Sequence, residues 1–385
     1  MFGPQELRFL RAIFLSPGRP KRKTRPRTDP STTRQLGTGG ARDEEITRSY
    51  RAKASLFKQG PRGSGFAGLQ AQRPPPGAGS YAKRTTVGAW FAMHNRTMSH
   101  AITLSGAGLF CEIKPELGGC IAGLWLDGVP VLRSTPAAEL CTVRQAGSYP
   151  LVPFSNRVGQ ATLKWQGTSH PLVQNNGPEP HAIHGVGWQR PWQVLDQVDG
   201  LLMLACEHRA DASWPFAFDA SQTFRIHGGA LELTLSLTNQ SATPAPAGLG
   251  WHPYFVKRPH SHIAFEATGR WEMGGDKLPT HRQPSRGLDA DCAGLDVDHC
   301  FDGWNGVVQL RDEMLHTRIS SSLSRLVAFT HSSRDFVAIE PVSHVNNAVN
   351  LLDAGSSQAD DLGIRVLAPG ESMSAQMSIM VERVA

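Results

Sequence analysis

Long apolar runs are missing from this chain of 385 residues: no stretch of eighteen occurs, which excludes a membrane-spanning helix. Cysteine is scarce, with Cys111, Cys120, Cys141, Cys206, Cys292 and Cys300 scattered and never in a CxxC pair. A disulfide framework is therefore excluded, and the nearby histidines lack zinc-finger spacing; the expected protein is reduced and cytoplasmic, with inert thiols. No GxGxxG following a strand, no P-loop and no GxSxG elbow is present, so neither a nucleotide cofactor nor serine hydrolysis is expected. Sustained helical spacing and internal repeats are absent too. Acidic residues are few in one region only. Residues 1–97 carry 19 Lys and Arg against 5 Asp and Glu, a balance of +14, whereas residues 98–385 carry 20 against 28, a balance of −8. The overall +6 thus averages a basic segment and an acidic body, and gives no ground for nucleic-acid binding by the whole chain.

What is present divides the same way. Lys21-Arg-Lys-Thr-Arg-Pro-Arg27 and Pro74-Pro-Pro-Gly77 read as a solvated tail that buries too little apolar surface to offset chain entropy. Residues 1–97 are expected to be disordered or an over-extended start. The apolar piece Phe9–Leu15 leaves an organelle presequence open, and the charge leaves a nucleic-acid-binding arm open. From Ala101 the texture changes. Leu231, Leu233, Leu235 and Leu237 alternate with Glu232, Thr234, Ser236 and Thr238, a period of two that predicts a half-buried strand. Gly228-Gly229 before it, after Phe224 and Ile226, reads as a hairpin turn. Met373, Ala375, Met377, Ile379 and Val381 alternate after a turn at Pro369-Gly370, and shorter strands are expected at 110–114, 201–207, 325–330 and 336–340. Many strands without a long helix predict an all-β domain over 98–385, a large antiparallel β-sandwich.

Three segments set titratable residues among aromatics, glycines and prolines. They are Tyr149–Arg157 with Asn175–Trp188, Gly250-Trp-His252-Pro-Tyr-Phe255, and Asp335–Asn347. His252 and Glu340 each precede a proline, which disfavours the α region and predicts extended backbone at a strand end. A rigid acid–base pair suits a reaction that delivers a proton to one oxygen and takes one from another. A histidine beside Trp251 and Tyr254 also fits a satisfied core position. Glu340 after an apolar run is either edge-exposed or held in a cleft. His181 and His184 have an HxxH spacing without a third ligand, a weak zinc signal.

Taken together these segments resemble the aldose 1-epimerases, or galactose mutarotases, from about Ile102 to the C-terminus. The matching elements are Asn156-Arg157, the Asn175-Asn-Gly-Pro loop with His184-Gly, Trp251-His-Pro-Tyr-Phe255, Asp298-His-Cys-Phe301, and Glu340 with Asn346-Asn347. They occur in the family's order. The resemblance implies a twisted galactose mutarotase-like supersandwich that interconverts α and β anomers of free aldohexoses. It makes Glu340 the general base and His252 the general acid, with Arg157, His184 and Asp298 holding sugar hydroxyls. The implied chemistry needs neither metal nor organic cofactor. The implied partner is a small sugar, with no membrane and no nucleic acid, for a monomer or homodimer. Pro253 and Trp251 depart from the galactose mutarotase pattern, toward a related bacterial branch, and leave the sugar open. Trp188, Trp251 or Phe255 could offer a flat face to a pyranose. A phosphorylated or charged sugar would draw on Lys257 and Arg258, and a non-catalytic sugar-binding module of the same fold remains a third reading.

Overall fold

The structure is a computed structural model that describes residues 101–384; the expectations for residues 1–97 lie outside the described residues. Two large antiparallel sheets form the sandwich. One has nine strands in the order Gln193–Val198, Leu201–His208, Phe218–His227, Ala230–Asn239, Ser372–Arg383, Leu315–Ser321, Val307–Arg311, His262–Glu266 and Gly287–Asp291. The alternating leucines lie on Ala230–Asn239, with Leu231, Leu233, Leu235 and Leu237 buried. Its hairpin partner ends at His227, opposite Ala230. The two residues between, Gly228 and Gly229, have φ of 56° and 77°, the left-handed pair that a two-residue hairpin demands.

The second sheet has eight strands. Its path runs Pro279–Pro284, Gly269–Met273, Val297–Asp302, Arg325–Thr330, Phe336–Val342, Gly250–Trp251 and Pro150–Leu151, with Tyr254–Val256 also paired to Phe336–Val342. A four-stranded sheet over residues 102–130 precedes both. Each strand expected from the sequence is present, with ends shifted by at most two residues. Helix among the described residues is confined to three short 3₁₀ turns and to Ala348–Asp353 and Ala359–Leu362. None of the described helices is long and apolar enough to cross a membrane. Phe265 and Phe301 meet edge to face, 5.0 Å apart, where the two sheets pack.

Register on the eight-stranded sheet brings the polar segments together. Gly250 lies opposite Val342 and Tyr254 opposite Ala338, so the interrupted ladder puts His252 across from Glu340. On one side Trp251 pairs with Pro150 and the His252 amide donates to the Tyr149 carbonyl at 3.0 Å. On the other side Glu340 pairs with Val327 and Val327 with Cys300. Tyr149, His252, Glu340, Val327 and Cys300 therefore form one cross-strand row with their side chains on one face, since opposed residues share a face. Pro253 and Pro341 follow the two central members and cannot donate to the ladder, which explains why the pairing breaks at that point.

Candidate active site

His252 and Glu340 meet at the middle of that row, with Nε2 and Oε1 separated by 3.2 Å. Residues 88 positions apart are thus brought into contact by strand register. Both are buried, and the second carboxylate oxygen of Glu340 and Nδ1 of His252 have no hydrogen-bond partner. Burial pushes the Glu340 carboxyl well above its ordinary range, and nearby Asp298 adds to the rise while Arg157 opposes it. Burial likewise holds the His252 imidazole far below its ordinary range, and Arg133 and Arg144 depress it further. Burial thus works against charge on both groups, favouring a carboxylic acid beside a neutral imidazole. Arg157 alone would keep Glu340 ionised, but desolvation outweighs it here.

Tyr254 follows His252 by two residues and its ring stacks on the imidazole, centroids 4.3 Å apart. Its hydroxyl lies 3.3 Å from His252 Nε2 and 2.9 Å from the Tyr149 hydroxyl. A chain Tyr149–Tyr254–His252–Glu340 results. Arg133 lies over the Tyr254 ring at 3.9 Å. Stacked imidazole and guanidinium cannot share one ring face, so Tyr254 is held between them.

A second group comes from the loops before and after the short Arg157–Val158 and Ala182–Ile183 pair. Asn156 and His184 both have left-handed backbone, with φ of 55° and 61°. The Asn156 amide donates to His184 Nδ1 at 3.1 Å, and the His184 amide donates to the Asn156 carbonyl at 2.9 Å. Because Nδ1 accepts and burial keeps this imidazole neutral, its hydrogen resides on Nε2, which makes His184 a donor. The His184 and His252 rings meet edge-on at 5.1 Å. Non-glycine residues in this region carry strain that surrounding bonds must offset. Asn175 supplies two of them, donating to the Ile183 carbonyl at 2.9 Å and accepting its amide at 2.8 Å.

Arg157 is buried and donates to Glu179 through Nε at 2.9 Å and to Asn156 Oδ1 through Nη1 at 3.1 Å. Lys277 also meets Glu179, at 2.6 Å, and the two cations hold the Glu179 carboxyl down at about 2. Asn347, just beyond Glu340, ties this loop to the sheet: its amide donates to the Arg157 carbonyl at 2.9 Å and its Oδ1 accepts the Gly159 amide at 3.0 Å. Asn346 is buried with Oδ1 unpartnered. Asp298 is half-buried one row from Glu340, opposite Phe329, and close enough to act on its carboxyl.

All five residues expected at the site thus surround one region of the sheet face. The weaker alternatives raised by the sequence find no support. His181 Nδ1 accepts the Gln160 amide at 3.0 Å and its Nε2 meets the Asp276 carbonyl at 2.8 Å, so both nitrogens are used and the HxxH spacing is structural. Trp251 and Phe255 are fully buried core residues and Trp188 is enclosed against Tyr149 at 5.4 Å, so none presents an open face to a pyranose. Lys257 is engaged by the His331 carbonyl and Arg258 by Asp312. A cavity of about 660 Å³ at Trp271, Arg282, Asp302 and Arg325 lies on the same sheet, but His252 and Glu340 are not among its walls. Sequence reasoning missed Tyr149, Tyr254, Glu179, Arg133 and Arg144. Tyr149 and Tyr254 stand inside the segments singled out, whereas Arg133 lies in irregular chain and Arg144 in a single 3₁₀ turn, neither within a pattern.

A sequence profile of the aldose 1-epimerases matches residues 100–380. YphB, an uncharacterized protein of Escherichia coli (strain K12), is 33% identical over 302 residues, 73% of this chain and 98% of its own. Among solved structures, a candidate aldose 1-epimerase from Escherichia coli K12 superposes with a TM-score of 0.66 at 30% identity, covering 74% of this chain and 99% of the other. A galactose mutarotase-like protein from Clostridium acetobutylicum gives 0.64 at 20% identity, over 74% and 95%, a likeness of fold.

Proposed function

This chain belongs to the aldose 1-epimerase family, and from that premise we propose that it interconverts the α and β anomers of a free aldohexose, one unsubstituted at the anomeric oxygen. The observation that carries the proposal is the 3.2 Å approach of His252 Nε2 to Glu340 Oε1 in a buried site. Mutarotation needs one acid and one base and no net change of protons, and this pair carries one transferable proton.

In the proposed cycle the proton resting on Glu340 passes to His252 as sugar hydroxyls replace lost hydration around the carboxylate, with Arg157 favouring its charge. Glu340 then takes the proton of the anomeric hydroxyl while His252 gives its proton to the ring oxygen. The C1–O5 bond breaks, its electron pair leaves on O5, and C1 becomes the aldehyde. Rotation about C1–C2 presents the other face. O5 returns its proton to His252 as it attacks C1, and Glu340 reprotonates the anomeric oxygen. His184 donates through Nε2 to a sugar hydroxyl, Asp298 accepts from another, and Arg157, already aligned by Glu179 and Asn156, reaches a third. A placed acid or base contributes about 10² to 10⁴ in rate, so two acting on one held conformer make a useful catalyst.

Polarimetry starting from crystalline α-anomer tests this. Catalytic amounts of protein should speed the approach to the ordinary equilibrium rotation without changing the end point. Sugar binding with an unchanged relaxation rate would instead favour a non-catalytic binding module.

A further inference from the structure

Oε2 of Glu340, Nδ1 of His252 and Oδ1 of Asn346 are all buried without a hydrogen-bond partner among the described residues. The proposed cycle assigns a task to Glu340 and to His252 but none to Asn346, of which only 3% is exposed. The other polar atom of its side chain, Nδ2, reaches only the Met273 sulfur, at 3.9 Å. A thioether accepts and cannot donate, so this contact fixes which end of the amide points where. Oδ1 is therefore the open end, an acceptor that no donor of the described residues meets. A buried carbonyl left in that state lowers stability until something supplies the missing hydrogen.

Neighbours on two sides fix where that acceptor stands. The next residue, Asn347, donates its amide to the Arg157 carbonyl at 2.9 Å. On the other side, Met273 ends the strand Gly269–Met273, in which Trp271 pairs with Cys300. Continuing that antiparallel register by two residues sets Met273 level with Asp298. Asn346 thus stands between the Arg157 loop and the Asp298 strand. Arg157 and Asp298 are the two charged groups that act on the Glu340 carboxyl, in opposite directions. Glu340 addresses the anomeric oxygen in the proposed cycle, and the hydroxyls nearest to that oxygen on a pyranose are those at C2 and C3. The hydroxyl at C6 lies beyond the ring oxygen, on the His252 side.

Resting on the mutarotase reading, we infer that Asn346 is a further sugar-binding residue, whose Oδ1 accepts the hydrogen of the hydroxyl at C2 or C3. A neutral amide suits this place. Another carboxylate beside Glu340 and Asp298 would push the Glu340 carboxyl up still further, whereas an amide carbonyl accepts a hydroxyl hydrogen without adding charge. A sugar lacking that hydroxyl leaves the acceptor open in the complex, which is how a buried polar group rejects a deoxy analogue.

A double-mutant cycle between residue and hydroxyl tests this. Anomer exchange is followed by magnetization-transfer NMR for glucose, 2-deoxyglucose, 3-deoxyglucose and 6-deoxyglucose in the unsubstituted protein, Asn346→Leu and Asn346→Ala. In the unsubstituted protein, kcat/KM for 2-deoxyglucose or 3-deoxyglucose should lie about tenfold below that for glucose, the scale of a buried group left unpaired. In both variants glucose should fall by a similar factor and that deoxy sugar by less than about twofold. The 6-deoxy sugar should track glucose throughout. Asn346→Leu replaces the amide with an apolar group of similar shape, so its melting temperature without sugar should hold or rise, which separates lost recognition from lost fold. Asn346→Ala supplies the same cycle if the leucine variant does not fold. Equal losses on all four sugars, coupling confined to the C6 hydroxyl, or glucose exchange within about twofold of the unsubstituted protein would overturn the inference. If the unsubstituted protein exchanges none of the sugars, the mutarotase reading falls by itself. The same cycle read from dissociation constants by NMR titration then decides whether Asn346 holds a hydroxyl, and absence of coupling or of binding overturns that too.

Discussion

Glu340 pays in stability for its position: a buried carboxyl with one oxygen unpartnered beside an imidazole. Its proton is held more tightly in the folded chain than in the unfolded one. Above the ordinary carboxylate range the unfolded state releases that proton while the fold retains it, so folding loses free energy as pH rises toward the folded value. Glu340→Gln removes the titration and keeps the shape. Its melting temperature should exceed that of the unsubstituted protein by a few degrees at pH 8, at roughly 2–4 °C per kcal/mol, with the gain shrinking toward pH 5. A lower melting temperature at pH 8 would mean that the fold stabilises the ionised carboxylate. Part of this was legible in the sequence, because a glutamate closing Phe336-Val-Ala-Ile before a proline is out of place in an ordinary buried strand. The raised carboxyl was not, since it follows from enclosure by elements distant along the chain.

Strand register does at the level of elements what no local pattern announces. The alternation in Ala230–Asn239 and Ser372–Arg383 is readable because each strand has one face buried. Gly250–Trp251, Tyr254–Val256 and Pro150–Leu151 are too short to show a period, yet they carry His252 opposite Glu340. Motif order supplied what periodicity could not for Asn156, Arg157 and His184, but not their left-handed backbone or the role of Glu179 in holding Arg157. The loop from Asn175 to His184 depends on Asn175, which pairs with both backbone groups of Ile183. Asn175→Ala leaves those groups without their partner, at a cost of about 1–3 kcal/mol. The variant should lose several degrees of melting temperature and show a raised KM for anomer exchange with kcat changed less. A kcat loss at unaltered KM would assign the loop to the chemical step instead of to holding the sugar.

Over the whole molecule, buried neutral histidines set the acid limit. His184, His252 and His344 are all held below their ordinary range by burial, His344 at about 4. Stability from such groups is complete above pH 6.5, where folded and unfolded states alike are neutral. It is lost as pH falls toward the folded values, because the unfolded chain takes up protons first. His344 alone accounts for about 3 kcal/mol of that loss. The urea midpoint should therefore fall steeply between pH 6.5 and pH 4, and a flat profile across that range would contradict the buried neutral state. Strand register brings His252 and Glu340 together on one sheet face, and the proposed catalysis rests on that meeting. It is tested most directly by the anomer-exchange rate constant of Glu340→Gln and His252→Asn at matched thermal stability and sugar occupancy. Each should fall by about 10² or more, and the double variant should be little worse than the singles, as befits groups acting as one unit. Exchange within a few-fold of the unsubstituted protein in either single variant would show that the chemistry is done elsewhere.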